Sequence, residues 1–316
     1  MKTFRQLAAL LAALVVLLAL FGVWVPGFLT AENLLDLVQQ ISVNAIIALG
    51  ITLTILIGGI DLSVGAVLAL VGTTTVYVLN QGNQTEQSVQ TLLLAVLAGL
   101  GVAAIFGTVN GVCAAKTKMP PFIITLATML VARGAAFRFN ESRPMPVPDQ
   151  QKIFLALGNE RLFGVIPVPV LIMIVIFVFA FILLHRTSFG QHLYAMGGDR
   201  EAARFTGIRL ARTEIMVYVI CSLLAGIAGM INTSQLYSAE PASGVGFELN
   251  AIAAAVVGGT SFTGGIGTMY GTLIGAIIIG ILDKGLNQAG VHFSLQYIVK
   301  GLVVLAAVYI DVRGRK

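Results

Sequence analysis

One carboxylate, Asp61, stands inside the apolar stretch TILIGGIDLSVGAVLAL (Thr54–Leu70), with Gly58, Gly59 and Gly65 around it. A charge at membrane depth is expensive and by default marks function. Two readings fit it. Gly58-Gly59 can end one helix, because glycine permits the backbone turn. Asp61 is then placed to cap the next helix, accepting its free N–H groups at the positive end of its dipole. In the other reading Asp61 and Ser63 belong to a translocation path or gate. A variant of that reading is a secondary transporter or channel for a small polar solute, with Asp61 as its ion or proton site.

Other polar residues in apolar runs are few. Asn44 and Asn250 are expected to begin their helices, as caps or packing amides, or to face a hydrophilic solute. Arg133 and Lys300 are expected to snorkel towards the surface, and Asp283 and Lys284 to be interfacial charges at a helix end. Nothing resembles a catalytic set: HExxH is absent, and His185, His192 and His292 are scattered. Cys113 and Cys221 lie in apolar runs without metal-ligand spacing. The glycine-rich GGTSFTGGIG lacks the lysine of a phosphate loop. No catalytic residue, no metal and no cofactor are expected in this chain.

The elements that must position these groups follow from composition. Of 316 residues, 57% are hydrophobic and 10% charged, with a mean hydropathy of +0.94; a soluble domain carries about 25% charged residues. Continuous apolar runs of about 20 residues recur, which defines an all-α polytopic membrane protein rather than a barrel. About ten transmembrane helices are predicted, at 7–25, 43–60, 62–79, 91–113, 121–137, 166–184, 214–232, 251–266, 268–282 and 295–311, some broken at glycines. MKTFRQ followed by Leu7–Val25 reads as a retained first helix, since no small-x-small cleavage site follows. The net charge of +5 does not point to nucleic acid, because the basic residues fall in short connections. With the N-terminus inside, the inner segments hold 12 Lys and Arg and the outer ones 5. Both termini are therefore expected in the cytoplasm.

The whole chain, 1–316, reads as a single transmembrane domain with a weak internal repeat. At a shift of 206 positions, Asn44–Leu70 lies over Asn250–Ala276 with nine identities in 27, including Asn44/Asn250, Gly58/Gly264, Gly59/Gly265 and Gly65/Gly271. Matching glycine breaks in two halves of a transporter point to its path, so Asn44, Gly58, Gly59, Asp61, Ser63, Asn250, Gly264 and Gly265 are its candidates. GTMYGTLIG spaces Gly267, Gly271 and Gly275 for close helix packing. Two connections are long. Residues 138–165 carry RPMPVP, whose prolines forbid a regular helix. Residues 185–213 are basic and inner; Gly197-Gly198 break the chain there, Asp199 can cap REAARFT, and Gly207 can stop it.

SVNAIIALGITLTILIGGIDLSVG, PPFIITLATMLVARG, YAMGGDREAARFTGI and FELNAIAAAVVGGTSFTGGIGTMYGTLIGA together resemble the permease subunit of ribose-type ABC sugar importers, from about Leu29 to the C-terminus. The resemblance implies a fold similar to the vitamin B12 importer permease and a pair of permease copies, identical or paralogous, in the bacterial inner membrane. It also implies an ABC ATPase with tandem nucleotide-binding domains that holds ATP and Mg²⁺, and a periplasmic sugar-binding protein. ATPase coupling would fall to a short cytoplasmic helix within the loop 185–213, carried here by Gly198, Asp199, Arg200, Glu201, Ala202, Ala203, Arg204 and Gly207. EAA followed by Gly207 matches the opening of the coupling motif of many ABC permeases, and its later I-x-L-P part is absent. Ala202 and Ala203 are small enough to dock in a cleft. A monosaccharide cargo would suit a chain so poor in charge at depth.

Overall fold

The computed structural model describes residues 2–82, 88–117 and 119–313. Thirteen α-helices are present among them. The ten predicted spans each coincide with one: α1 (Lys2–Trp24), α2 (Ala31–Leu56), α3 (Val64–Gln81), α4 (Val89–Lys116), α5 (Pro121–Arg138), α7 (Val168–Arg186), α10 (Leu210–Gln235), α11 (Phe247–Val257), α12 (Met269–Gln288) and α13 (Phe293–Arg313). Eight of these, all but α11 and α13, are long and apolar enough to cross a bilayer. With eleven residues, α11 extends about 16 Å, roughly half of a 30 Å hydrocarbon core. It is a half-helix, corrected from a predicted span that ran on to residue 266. Lys118, Arg315 and Lys316, which entered the count of basic residues, lie outside the described residues.

Local chemistry sets the helix starts. Thr30, Ser88 and Thr268 cap α2, α4 and α12 through their side-chain oxygens. Proline occupies the first turn of α5 and α7, where no donor is lost. The middle of the bundle is α2: from Ile41 to Leu56 every residue but Asn44 is buried. A helix apolar all round belongs in a core. Asn44 therefore lies halfway along α2 and does not begin it, which corrects its expected place; Asn250 does lie in the first turn of α11. α10 packs beside α2, while α1, α5 and α13 turn large apolar side chains outward, as lipid-facing helices do.

Two elements were not foreseen. The connection 138–165 holds α6 (Lys152–Asn159), which buries Phe154 and Gly158 against α10. Gly158 N–H donates to Ser234 Oγ at 2.8 Å. The RPMPVP prolines do keep their own segment out of a helix: Met145–Pro146 pairs with Ser238–Ala239 as a short antiparallel ribbon. On the other face, α8 (Ser188–Gly198) precedes α9 (Arg200–Phe205). The two faces of the bundle are thus distinct, one carrying α6 and one carrying α8 and α9.

Small residues bring helices together. A Cβ on Gly107 of α4 would stand 2.7 Å from Tyr218 O and Val219 Cα of α10, whereas one on Gly101 would meet nothing within 4 Å. Gly107→Val forces that interface apart at a cost of about 1–3 kcal/mol. It is expected to lower the melting temperature of the detergent-solubilised protein by several degrees, measured by differential scanning fluorimetry. Gly101→Val leaves it within a degree.

Candidate functional site

The α8/α9 face is built from the inside outward. Asp199 is extended (φ −152°, ψ 108°), and its carboxylate accepts the Ala202 N–H at 3.0 Å, capping α9. Gly207, at φ 86°, ends the segment in a conformation that disfavours side chains. Arg200 forms an ion pair with Glu214, which is buried near the start of α10. The short helix is therefore fixed to a core helix by charge as well as by chain. Ala203 is buried within the chain itself, so of the two alanines expected to dock outward only Ala202 is exposed. Glu201, Arg204 and Phe205 share the outer surface with it, Phe205 at 87% exposure. Phe205 was missed in the sequence; a bulky apolar residue between Arg204 and the stop at Gly207 was the available signal.

Against the C-terminal end of α8 lie the two glycine breaks. Gly58 and Gly264, aligned at the shift of 206, adopt φ 78° and φ 83°. α2 ends at Leu56, whose freed carbonyl accepts the Gly265 N–H at 2.9 Å. α11 ends earlier, at Val257, and residues 258–268 run without regular helix up to α12. Gly197, at the end of α8, is wedged beneath both: a Cβ there would collide with Leu56 O and Gly265 N. Gly264 and Gly265 in turn have no room towards Gly197 and Gly198, at 3.0 and 2.9 Å from an added Cβ. Tyr194 of α8 donates its hydroxyl to Gly267 O at 2.7 Å. Burial, with Tyr270 beside it, pushes that phenol up to about 12, so it keeps its proton as a donor. One helix end thus touches both breaks, by a wedge and by a hydrogen bond.

Asp61 is fully buried and stands apart from this contact. Its Oδ1 accepts the Ser63 N–H at 2.9 Å and the Ser63 hydroxyl at 2.6 Å. Asn110 Nδ2 of α4 donates to Ser63 Oγ at 2.9 Å, and Thr128 of α5 donates to Asn110 Oδ1 at 2.7 Å. The N-cap of α3 is Ser63. Ser63 makes no side-chain capping bond; Asp61, two residues earlier, accepts its N–H and hydroxyl and closes the turn that leads into α3, rather than bonding N–H groups within the helix.

Asn44 and Asn250 come together elsewhere. With Gln40, Asn232, Gln235 and Asp283 they line a cavity of about 250 Å³ between α2, α10, α11 and α12. A second cavity of about 510 Å³ shares Gln40, Asp283 and Lys284 with it and opens among the helix ends of the α6 face. Asp283 and Lys284, expected as plain interfacial charges, line both. Lys300 pairs with Asp283 at 2.9 Å rather than snorkelling, and Arg133 donates to the carbonyls of Pro241 and Ser243 at 2.7 and 2.6 Å. Gly271 and Gly275 bring α12 against the backbone of Gly258 and Ala254. No group of three or more His, Cys, Asp or Glu stands within metal-binding reach among the described residues.

Residues 33–308 match the family described as "Branched-chain amino acid transport system / permease component". The chain is 44% identical to the ribose import permease protein RbsC of Escherichia coli K12 over 303 residues, 95% of this chain and 92% of that one. It is 43% identical to RbsC of Bacillus subtilis 168, over 94% and 90%. With the L-arabinose transport system permease protein AraH of E. coli K12 the identity is 35%, over 96% and 89%. No solved structure matches the chain significantly. An all-helical bundle with glycine-broken helices and these similarities define a membrane permease of the ABC importer class. Within that class the chain belongs to the ribose-type sugar import permease family.

The wedge at Gly197 yields a sharp contrast with its neighbour. A Cβ on Gly198 meets nothing within 4 Å. Gly197→Val is expected to reduce solute uptake by the reconstituted importer at least ten-fold, measured as radiolabelled sugar accumulated in proteoliposomes. Gly198→Ala leaves uptake within two-fold.

Proposed function

We propose that this chain is the non-catalytic, membrane-spanning subunit of an ATP-driven importer that carries a monosaccharide, ribose or a related sugar, into the bacterial cytoplasm. Two copies, or one copy and a close paralogue, form the conduit in the inner membrane, with the α8/α9 face and both termini in the cytoplasm. An ATPase with tandem nucleotide-binding domains binds ATP and Mg²⁺ and docks on Glu201, Ala202, Arg204 and Phe205; a periplasmic binding protein delivers the sugar to the α6 face. The cargo class rests on relatives named for ribose and L-arabinose.

The observation that carries the coupling reading is the seat of Gly197 against Leu56 and Gly265. A push on α9 is passed through Asp199 to the end of α8. There it meets the two breaks, whose carbonyl-to-amide bond is the joint between the halves. The Arg200–Glu214 pair carries the same displacement into α10. Gly58, Gly59, Gly264 and Gly265 then form the inner gate, and the Asp61–Ser63–Asn110 chain holds α3, α4 and α5 as one body beside it.

Ala202→Arg places a long cation on the exposed docking surface. It is expected to abolish both co-purification of the ATPase and sugar accumulation, while the permease itself melts at the native temperature. Glu201→Cys is expected to react with a membrane-impermeant maleimide in inside-out vesicles only. Accumulation of sugar by the permease without its ATPase, or labelling of Cys at 201 from the periplasmic side, overturns the reading.

A further inference from the structure

The amide-lined cavity carries an assignment of its own, which rests on the importer reading above. We infer that the pocket between α2, α10, α11 and α12 is a binding site for one monosaccharide within each protomer, reached from the α6 face. Its walls supply what a neutral polyol needs. Gln40, Asn44, Asn232, Gln235 and Asn250 line it; Asn232 Oδ1 already accepts from Ser243 at 2.5 Å and Asn250 Nδ2 donates to Asp283 at 3.4 Å, and the other amide groups supply donors and acceptors. Phe247 adds an aromatic face for the C–H side of a sugar ring.

Two of those amides carry an unsatisfied atom. Asn44 Oδ1 and Gln235 Nε2 are enclosed and have no hydrogen-bond partner among the described residues. Enclosed polar atoms are nearly always satisfied, and an exception calls for a reason. Rotating either amide towards a hydroxyl in the cavity gives up no bond at those atoms and gains one. Asn44 sits on α2 and Asn250 on α11, so a sugar held by both would bridge the two helices that end at the glycine breaks.

The charges at the wall argue for a neutral cargo. Asp283 is paired with Lys300 at 2.9 Å and takes a bond from Asn250 Nδ2 at 3.4 Å. Lys284 donates to Asn33 O at 3.3 Å. A zwitterionic amino acid would have to break these engagements to find its own counter-charges, whereas a polyol needs only the amides. The volume of about 250 Å³ lies just below the usual range of about 300–1,000 Å³ for drug-sized ligands, which suits a single sugar ring. The larger polar cavity beside it supplies the way in.

The test uses the assembled importer in nanodiscs, without its delivery protein, and reads binding of radiolabelled D-ribose and L-arabinose. The native complex is expected to bind one of them saturably, with L-leucine failing to compete. Asn44→Leu and Gln235→Leu are each expected to weaken that binding about five-fold or more, the loss of one hydrogen-bonding partner. Asn44→Gln retains most of it, which separates amide chemistry from packing. Unchanged binding in both leucine variants overturns the site while leaving sugar import standing, and so does equal loss in Asn44→Gln. Competition by L-leucine overturns the neutral-cargo assignment. Absence of uptake of either sugar by the native importer overturns the functional reading and this site with it.

Discussion

A broken helix inside a bilayer must find partners for its own backbone. Water is not there to supply them, and an unmatched amide or carbonyl costs several kcal/mol in hydrocarbon. α2 ends at the buried Leu56 and α11 at the half-buried Val257. The bond from Gly265 N–H to Leu56 O meets part of this requirement for both at once. The rest of the α8/α9 face is arranged around that joint. Nothing larger than glycine fits at 197, because the backbone bond and the approaching helix end occupy the same space.

On the proposed coupling, the closely packed and the irregular parts of the bundle stand where a driven gate needs them. α4 and α10 approach through Gly107 and Gly111 with almost no side chain between them, and such close packing transmits displacement without absorbing it. The segment after the first break is held to α4 and α5 by Asp61, Ser63, Asn110 and Thr128. Residues 258–268, by contrast, form no regular helix between α11 and α12. The segment after the first break is thus tied to α4 and α5, although Gly58 itself is exposed with open space beside it, while the second break is bridged by Tyr194 and by the Leu56 carbonyl. On the proposed coupling, displacement entering through α8 would meet the segment held by Ser63 and Asn110 on one side and the non-helical residues 258–268 on the other.

Periodicity and composition made most of the bundle legible. Continuous apolar runs located all ten apolar helices, because lipid imposes one length and one composition on whatever crosses it. Glycine pairs located both breaks, and the cap-to-stop pattern from Asp199 to Gly207 located α9. What escaped was set by tertiary contact. The length of α11 is decided by where α12 presents the backbone-accommodating Gly271 and Gly275, not by hydrophobicity, so the apolar run 251–266 read as a full span. α8 escaped because its buried residues, Gly190, Leu193 and Met196, make too thin a stripe to stand out from a basic loop. Asn44 looked like a helix start because the polar residues before it, Gln39 and Gln40, resembled a loop; in the fold they line or face the α6 side of a helix that had already begun at Ala31.

The hydrogen bonds that Asp61 makes all serve the fold. Its Oδ1 is committed to Ser63, and Ser63 to Asn110, so one oxygen shapes the turn, while the enclosed Oδ2 has no hydrogen-bond partner among the described residues. The amides that line the proposed sugar pocket lie a long way off along α2, Asn44 fourteen residues before Gly58 or about 20 Å at helical rise. A path for a neutral, hydroxyl-rich solute has no use for an unpaired charge, since exchanging water for amides costs little while any strong counter-charge would hold water more tightly than a sugar. The same economy explains the paired state of Asp283 and Lys300 at the cavity wall. On the proposed reading, the paired charges of this bundle fix shape and uncharged polar groups do the recognising.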